Sequence, residues 1–231
     1  MAISFPVPEP VTLPIQASAD RFPVRSLYCI GRNYAAHARE MGKDPDREPP
    51  FFFMKQACDI LQPGEPLTYP PGTSDLHHEI ELVVALGAGG AFVSKEQASD
   101  LIWGYGVGLD MTRRDLQGAA KEKGRPWEIG KSFAGAAPMG ALLPKSGIDD
   151  IASKKITLSV NDTLRQEGMI ADMIWDIDEM IAHISQFYRF EPGDLIFTGT
   201  PAGVAAVGPG DVMVGAVEGV GSITVPVQAG P

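Results

Sequence analysis

The sequence predicts a mainly β fold with a few short helices, of the α+β class. Two observations carry this expectation. The 231 residues include 26 glycines and 20 prolines, a turn-rich composition that favours short strands over long helices. The apolar runs are short and bounded by turn residues, without the regular strand–helix alternation of a doubly wound sheet. The length fits one sizeable domain with a full hydrophobic core.

Residues 1–24 are rich in proline, with Pro6, Pro8, Pro10 and Pro14 closely spaced. They read as an irregular, extended arm lying over the domain or a neighbouring subunit. Residues 25–231 then form one domain, with no linker, repeat or low-complexity tract. Residues 27–31 are a first strand closed by glycine. Asn33 can cap a short helix that runs to Met41 and stops at Gly42, and residues 43–50 are a polar, proline-bearing loop. Residues 51–54 read as a buried strand, and residues 77–86 are the most strand-like run of all.

Ser94 opens a short helix to about Ile102. Gly104, Gly106 and Gly108 then alternate through a strand of little side-chain bulk that ends at Asp110. A helix over 113–123 follows. Residues 156–160 and 164–166 form a hairpin around the Asn161–Asp162 turn. Asp176 with Glu179 makes a capping box for an amphipathic helix to about Tyr188. Residues 194–198 and 221–227 are late strands.

Charge and composition exclude several functions. A formal net charge of −10 leaves no basic face for nucleic acid. The one dense basic stretch, Arg113 and Arg114 followed by Lys121, Lys123 and Arg125, is interrupted by Asp115 and Glu122 and suits a small anion. No run approaches the roughly 20 apolar residues of a membrane helix. Residues 1–11 lack the basic flank and apolar stretch of a secretory signal, so the expected location is the cytoplasm. Cys29 and Cys58 form no CxxC pair and read as reduced thiols in or near the core.

The strongest chemical signal is His77-His78-Glu79-Ile80-Glu81. Side chains alternate across a strand, so Glu79 and Glu81 project from one face. Burying both without a cation would raise the pKa of at least one, and a divalent ion resolves the conflict. An exposed acidic face gives the same pattern, and the pair alone does not choose between the two. Asp110, at the end of the glycine-rich strand, adds a third acid. Three carboxylates without a nearby cysteine make a hard, oxygen-only site suited to Mg²⁺ or Mn²⁺. His77 shares the face of the two glutamates and is a candidate ligand or supporting donor, whereas His78 points the other way and packs.

His37 and Glu40 stand at i and i+3 of the expected helix, a pair able to activate water or simply to form a surface ion pair. Arg114, Lys131 and Lys55 are candidates to bind a carboxylate or stabilise an oxyanion. The turn Phe197-Thr198-Gly199-Thr200-Pro201-Ala202-Gly203 offers hydroxyls and backbone donors that can cradle an anionic ligand end. His183, among Met180, Ile184 and Phe187, reads as structural.

Taken together, these segments resemble the fumarylacetoacetate hydrolase family from about Leu27 to Val227. The match is carried by Gly31-Arg32-Asn33-Tyr34-Ala35-Ala36-His37, His77-His78-Glu79-Ile80-Glu81, and Gly108-Leu109-Asp110-Met111-Thr112-Arg113-Arg114-Asp115-Leu116-Gln117. It continues through Gly130-Lys131-Ser132-Phe133, Asn161, Leu164-Arg165-Gln166-Glu167-Gly168 and Gly193-Asp194-Leu195-Ile196-Phe197-Thr198-Gly199-Thr200-Pro201. The resemblance implies a mixed β-sandwich roll for the catalytic domain, a homodimer, and Mg²⁺ or Mn²⁺ (Ca²⁺ as a substitute) on Glu79, Glu81 and Asp110. It implies a catalytic His37–Glu40 pair and a substrate-facing Lys131. Arg32, Lys55, Arg114, Gln117 and Thr200 are the expected substrate-binding residues.

The implied activity is hydrolysis of a carbon–carbon bond in a small 2-oxo acid of the 2,4-dioxo type. Fumarylpyruvate, from aromatic breakdown by the gentisate route, is the expected substrate. Oxaloacetate decarboxylation and isomerisation of 2-hydroxyhepta-2,4-diene-1,7-dioate are alternatives on the same scaffold, and a metal-stabilised binding protein is a remote one.

Overall fold

The computed structural model describes residues 4, 6, 9–35 and 49–230. From residue 36 the helix expected after Asn33, and the following loop as far as residue 48, lie outside these residues.

Two sheets face one another. The larger has six strands in the order Leu143–Pro144, Ile102–Leu109, Ile80–Leu86, Leu195–Phe197, Ser26–Gly31 and Phe51–Gln56. Its neighbours run antiparallel except Leu195–Phe197, which is parallel to Ser26–Gly31, so the sheet is mixed. Ile80–Leu86 is buried along its whole length because both faces of the sheet are covered. Ile80, Leu82, Val84 and Leu86 enter the larger core, and Val83 and Ala85 enter a second core on the other face.

The second sheet has five strands in the order Thr163–Met169, Lys155–Val160, Val212–Val217, Gly221–Gln228 and Leu67–Thr68. Its side chains alternate, with Ile223, Val225 and Val227 inward and their neighbours exposed. The two sheets meet where Gly215 faces Ile80: a Cβ on Gly215 would lie 2.5 Å from Ile80 Cδ1. Helices Lys95–Leu101 and Ile177–Ile184 pack on each other. Ser94 N–H donates to Gln97 Oε1 at the start of the first, and Asp176 and Glu179 cap the second reciprocally.

Four local expectations change. Thr12–Pro14 pairs antiparallel with Arg21–Pro23, so the arm is not irregular throughout. The alternation that turns Leu13 and Phe22 inward lets both enter the second core beside Val83 and Leu142. Phe51–Gln56 is a half-buried edge strand, not an interior one. The helix opened by Asp176 ends at Ile184 instead of Tyr188. Ser185 explains that end, because its carbonyl and hydroxyl accept the Phe92 and Val93 N–H groups. Of the two thiols only Cys29 is in the core, whereas Cys58 is exposed.

Gly108 is closely packed on three sides behind the site. An added Cβ would lie 2.8 Å from Met139 Sδ, Phe197 Cε1 and Val83 Cγ2 alike. Gly108→Ala should therefore destabilise the fold by about 1–3 kcal/mol through overpacking. Chemical denaturation with an unchanged slope would measure it, and wild-type stability would contradict this account.

Candidate metal centre

The run expected as one strand over 77–86 is two strands. Leu76–His77 lies between Thr112–Arg113 and Ala206–Val207 in a small sheet of its own. The chain then crosses through His78 and Glu79 into Ile80–Leu86. The crossing is pinned to the end of Ile102–Leu109, where Asp110 N–H donates to Glu79 O at 2.8 Å. Glu81 sits on the ladder opposite Gly108. Glu79 therefore stands immediately before the strand that carries Glu81, and the two carboxylates meet as the alternation predicts.

The result is a compact acid cluster. One carboxylate oxygen from each of Glu79, Glu81 and Asp110 lies within 4.8 Å of the others, and all three residues are buried. Lys131 Nζ stands 2.9 Å from Glu79 Oε2 and 2.7 Å from Asp110 Oδ2. Arg114 pairs with Glu79 Oε1. Glu81 receives the Gly199 N–H at 2.8 Å. Among the described residues, Glu81 has no ion-pair partner.

Electrostatics shows what the cluster lacks. Burial, then the neighbouring Asp110 and Glu79 carboxylates, push the Glu81 carboxyl well above its ordinary range, although Gly199 N–H and Lys131 oppose them. Burial works against the Lys131 ammonium, but Asp110 and Glu79 outweigh it and raise its pKa. Lys131 therefore stays charged. Asp110 Oδ1 is buried with Lys55 Nζ 2.9 Å away as its ion-pair partner, and among the described residues it accepts no aligned hydrogen bond. A crowded set of hard oxygens, with one carboxylate that has no ion-pair partner among the described residues, fits a divalent cation.

A cleft opens on this cluster. Arg32, Arg114, Gln117, Lys131 and Thr200 line it beside the three acids. Arg114 Nη1 donates to Gln117 Oε1 at 2.7 Å. Arg32 holds a left-handed backbone (φ 60°) with its guanidinium 5.8 Å from the Phe51 ring centre. That is a strained conformation for an arginine and typical of functional positions. Lys55 does not line the cleft. Its buried ammonium sits behind Asp110 and donates to the Met111 and Lys131 carbonyls. His37 and Glu40 lie outside the described residues.

Lys121 and Trp127 also line the cleft, beyond the binding residues that the sequence motifs point to. Lys121 stands at i+7 from Arg114 and i+4 from Gln117, the spacing of one helical face, which is the signal that was available. No such periodicity points to Trp127. His77 is outside the acid cluster, with Nε2 2.8 Å from Asp75 Oδ1 and Arg114 on its other nitrogen. Burial first, then Arg114, lowers its pKa. His78 is buried against Gln166, and His183 packs on the Phe52 and Phe187 rings.

The profile of the fumarylacetoacetate (FAA) hydrolase C-terminal family matches residues 26–228. The chain belongs to this family. Like other relatives, a fumarylpyruvate hydrolase of Ralstonia sp is similar along most of its length: 43% identical over 189 residues, 81% of this chain and 98% of the relative. An oxaloacetate tautomerase, FAHD1, of Bos taurus mitochondria is 41% identical over 204 residues, 88% of this chain and 92% of the relative. The crystal structure of fumarylpyruvate hydrolase from Pseudomonas aeruginosa, in complex with Mn²⁺ and pyruvate, matches with a TM-score of 0.95. It is 50% identical and covers 99% of this chain and 100% of its own. The mixed β-sandwich expected of a fumarylacetoacetate hydrolase is thus the fold observed.

The uncompensated Glu81 carboxylate yields a pH test. An acid whose folded pKa exceeds its unfolded value favours the fold only while protonated. Metal-free stability should therefore fall as pH rises above about 4.5, the ordinary glutamate value, towards the raised one. Thermal melting of metal-free wild type and Glu81→Gln across that range checks this, the variant showing the smaller decline. Mn²⁺ at about a hundred times its Kd should stabilise the wild type by roughly 2.7 kcal/mol and the variant far less.

Proposed function

We infer that this protein is a divalent-metal-dependent acylpyruvate hydrolase that cleaves fumarylpyruvate to fumarate and pyruvate in the gentisate route of aromatic breakdown. The observation that carries the reading is the buried Glu79–Glu81–Asp110 cluster at the floor of a cationic cleft. Its support is 50% identity, over nearly the whole chain, to a fumarylpyruvate hydrolase whose structure holds Mn²⁺ and pyruvate. In this reading residues 25–231 are the catalytic domain, residues 1–24 an arm packed against it, and the working form a cytoplasmic homodimer.

Glu79, Glu81 and Asp110 would hold Mg²⁺ or Mn²⁺, which supplies Lewis-acid stabilisation of enolate charge. Arg32, Arg114, Gln117 and Thr200 bind the carboxylates and oxygens of the substrate, and Lys55 secures Asp110 from behind. His37, oriented by Glu40, takes a proton from water as the water oxygen attacks the carbonyl next to the fumaryl group. The Lys131 ammonium stabilises the resulting oxyanion. The carbon–carbon bond then breaks, its electron pair passing to the pyruvate methylene as an enolate that a proton converts to pyruvate. Fumarate carries the oxygen from water.

The oxaloacetate tautomerase relative favours a second reading, proton transfer on oxaloacetate at the same site. Both need enolate stabilisation, and only hydrolysis needs an activated water. Ultraviolet loss of fumarylpyruvate, acetylpyruvate and oxaloacetate with Mg²⁺ or Mn²⁺ separates them. Fumarylpyruvate is expected to give the largest kcat/KM, and preference for oxaloacetate would overturn the assignment. His37→Ala should lower hydrolysis by about 10²-fold or more while leaving Mn²⁺ affinity unchanged. Full activity in that variant would remove His37 from the mechanism.

A further inference from the structure

The strand Thr163–Met169 carries one fully buried residue, and it is polar. Gln166 is 1% exposed, whereas Thr163, Leu164, Arg165 and Glu167 are exposed. A register shift opposite Leu158 and Ser159 leaves Arg165 unpaired and turns Gln166 inward. Its carboxamide uses every valence it has. Ile80 N–H donates to Oε1 at 3.1 Å and His78 Nδ1 approaches the same oxygen at 2.8 Å. Nε2 donates to Thr200 Oγ1 and to Pro201 O, both at 2.8 Å.

These partners fix which end of the amide is which. The Ile80 N–H can only donate and the Pro201 carbonyl can only accept, so oxygen faces the first and nitrogen the second. Thr200 Oγ1 must then accept from Gln166, and its own proton is left for another acceptor. Among the described residues, none takes it. Thr200 lines the cleft beside the acids. The loop around it has no slack. A Cβ on Gly199 (φ +96°) would lie 2.7 Å from Asn33 Cβ, and one on Gly203 (φ +97°) only 2.0 Å from Arg165 O.

We propose that Gln166 is a positioning residue that sets Thr200 as a hydrogen-bond donor to a substrate oxyanion. The chain of polarity runs from the Ile80 backbone, between the two metal-site glutamates, through Gln166 to the Thr200 hydroxyl. The group it serves is a carboxylate of the 2-oxo acid, so the inference rests on the acylpyruvate reading.

The experiment is a double-mutant cycle on Mn²⁺-loaded protein, with calorimetric binding of oxalate, a small dicarboxylate, as readout. Gln166→Glu keeps the acceptor for Ile80 but cannot donate, so the Thr200 proton turns back to it. Oxalate affinity should fall about tenfold or more, the scale of a lost charge-assisted hydrogen bond. Thr200→Val should cause a similar loss, and the double variant little more than either. Mn²⁺ affinity should stay within about twofold throughout, which a merely structural role would not preserve. Additive losses, or unchanged oxalate affinity in Gln166→Glu, would overturn the proposal.

If Gln166→Glu does not fold, Thr200→Ser and Thr200→Val in the natural Gln166 background decide. Retained affinity with serine and lost affinity with valine supports the donor, and equal affinity in both refutes it. Wild-type protein that binds oxalate but turns over no acylpyruvate would remove the hydrolase reading while leaving the cycle as the judge of Gln166.

Discussion

Three carboxylates within 4.8 Å of one another, buried at the end of a sheet, are held together against their own repulsion, and the surroundings are organised around that cost. Charges removed from water must be paired and hydrogen-bonded nearly completely. Lys131 spans Glu79 and Asp110, Arg114 takes the remaining oxygen of Glu79, and Lys55 is tied to two backbone carbonyls beside Asp110. Among the described residues Glu81 has a single backbone donor, which marks where a cation would fit. The cluster is therefore a candidate cation site, because its compensation is incomplete.

The fold provides this crowding by making backbones approach closely. The glycine-rich strand Ile102–Leu109 lets Met139, Phe197 and Val83 close over Gly108 opposite Glu81. The Thr198–Gly203 turn is fastened on several sides. Thr198 N–H and its hydroxyl donate to Leu82 O, Asn33 Nδ2 donates to Thr198 O, and Gln166 holds Thr200 and Pro201. Asn33 also exchanges hydrogen bonds with the Trp175 backbone, so the segment entering residues 36–48 is bound to the helix-bearing side of the molecule. Such buried polar crosslinks fix geometry because any slip would leave unpaired groups in a low-dielectric interior.

Much of the fold was legible because it rests on local rules. The Asn161–Asp162 turn, with φ of 49° and 62°, joins the two strands that alternation predicts. The boxes at Ser94 and Asp176 begin their helices at the expected residues. The misreadings came where tertiary contacts override local pattern. Alternation through residues 77–86 conceals the crossing at His78 and Glu79, because a break of two residues leaves the apolar pattern intact. The end of the helix at Ile184 depends on Phe92 and Val93, about 90 residues away, which no window of sequence contains.

By itself, the sequence determined the mainly β class, the acid triad and the family, because periodicity, turn chemistry and ordered motifs are written along the chain. It also supplied the cations of the site without fixing which partner each would meet. Only the tertiary structure decided that Lys131 bridges two acids, that Lys55 stands behind the cleft, and that Lys121 and Trp127 reach it. Only the tertiary structure could turn Gln166 inward to orient the Thr200 hydroxyl. The reason is the same in each case: a charge or a hydrogen-bond polarity takes its role from partners distant in sequence, and folding alone chooses those partners.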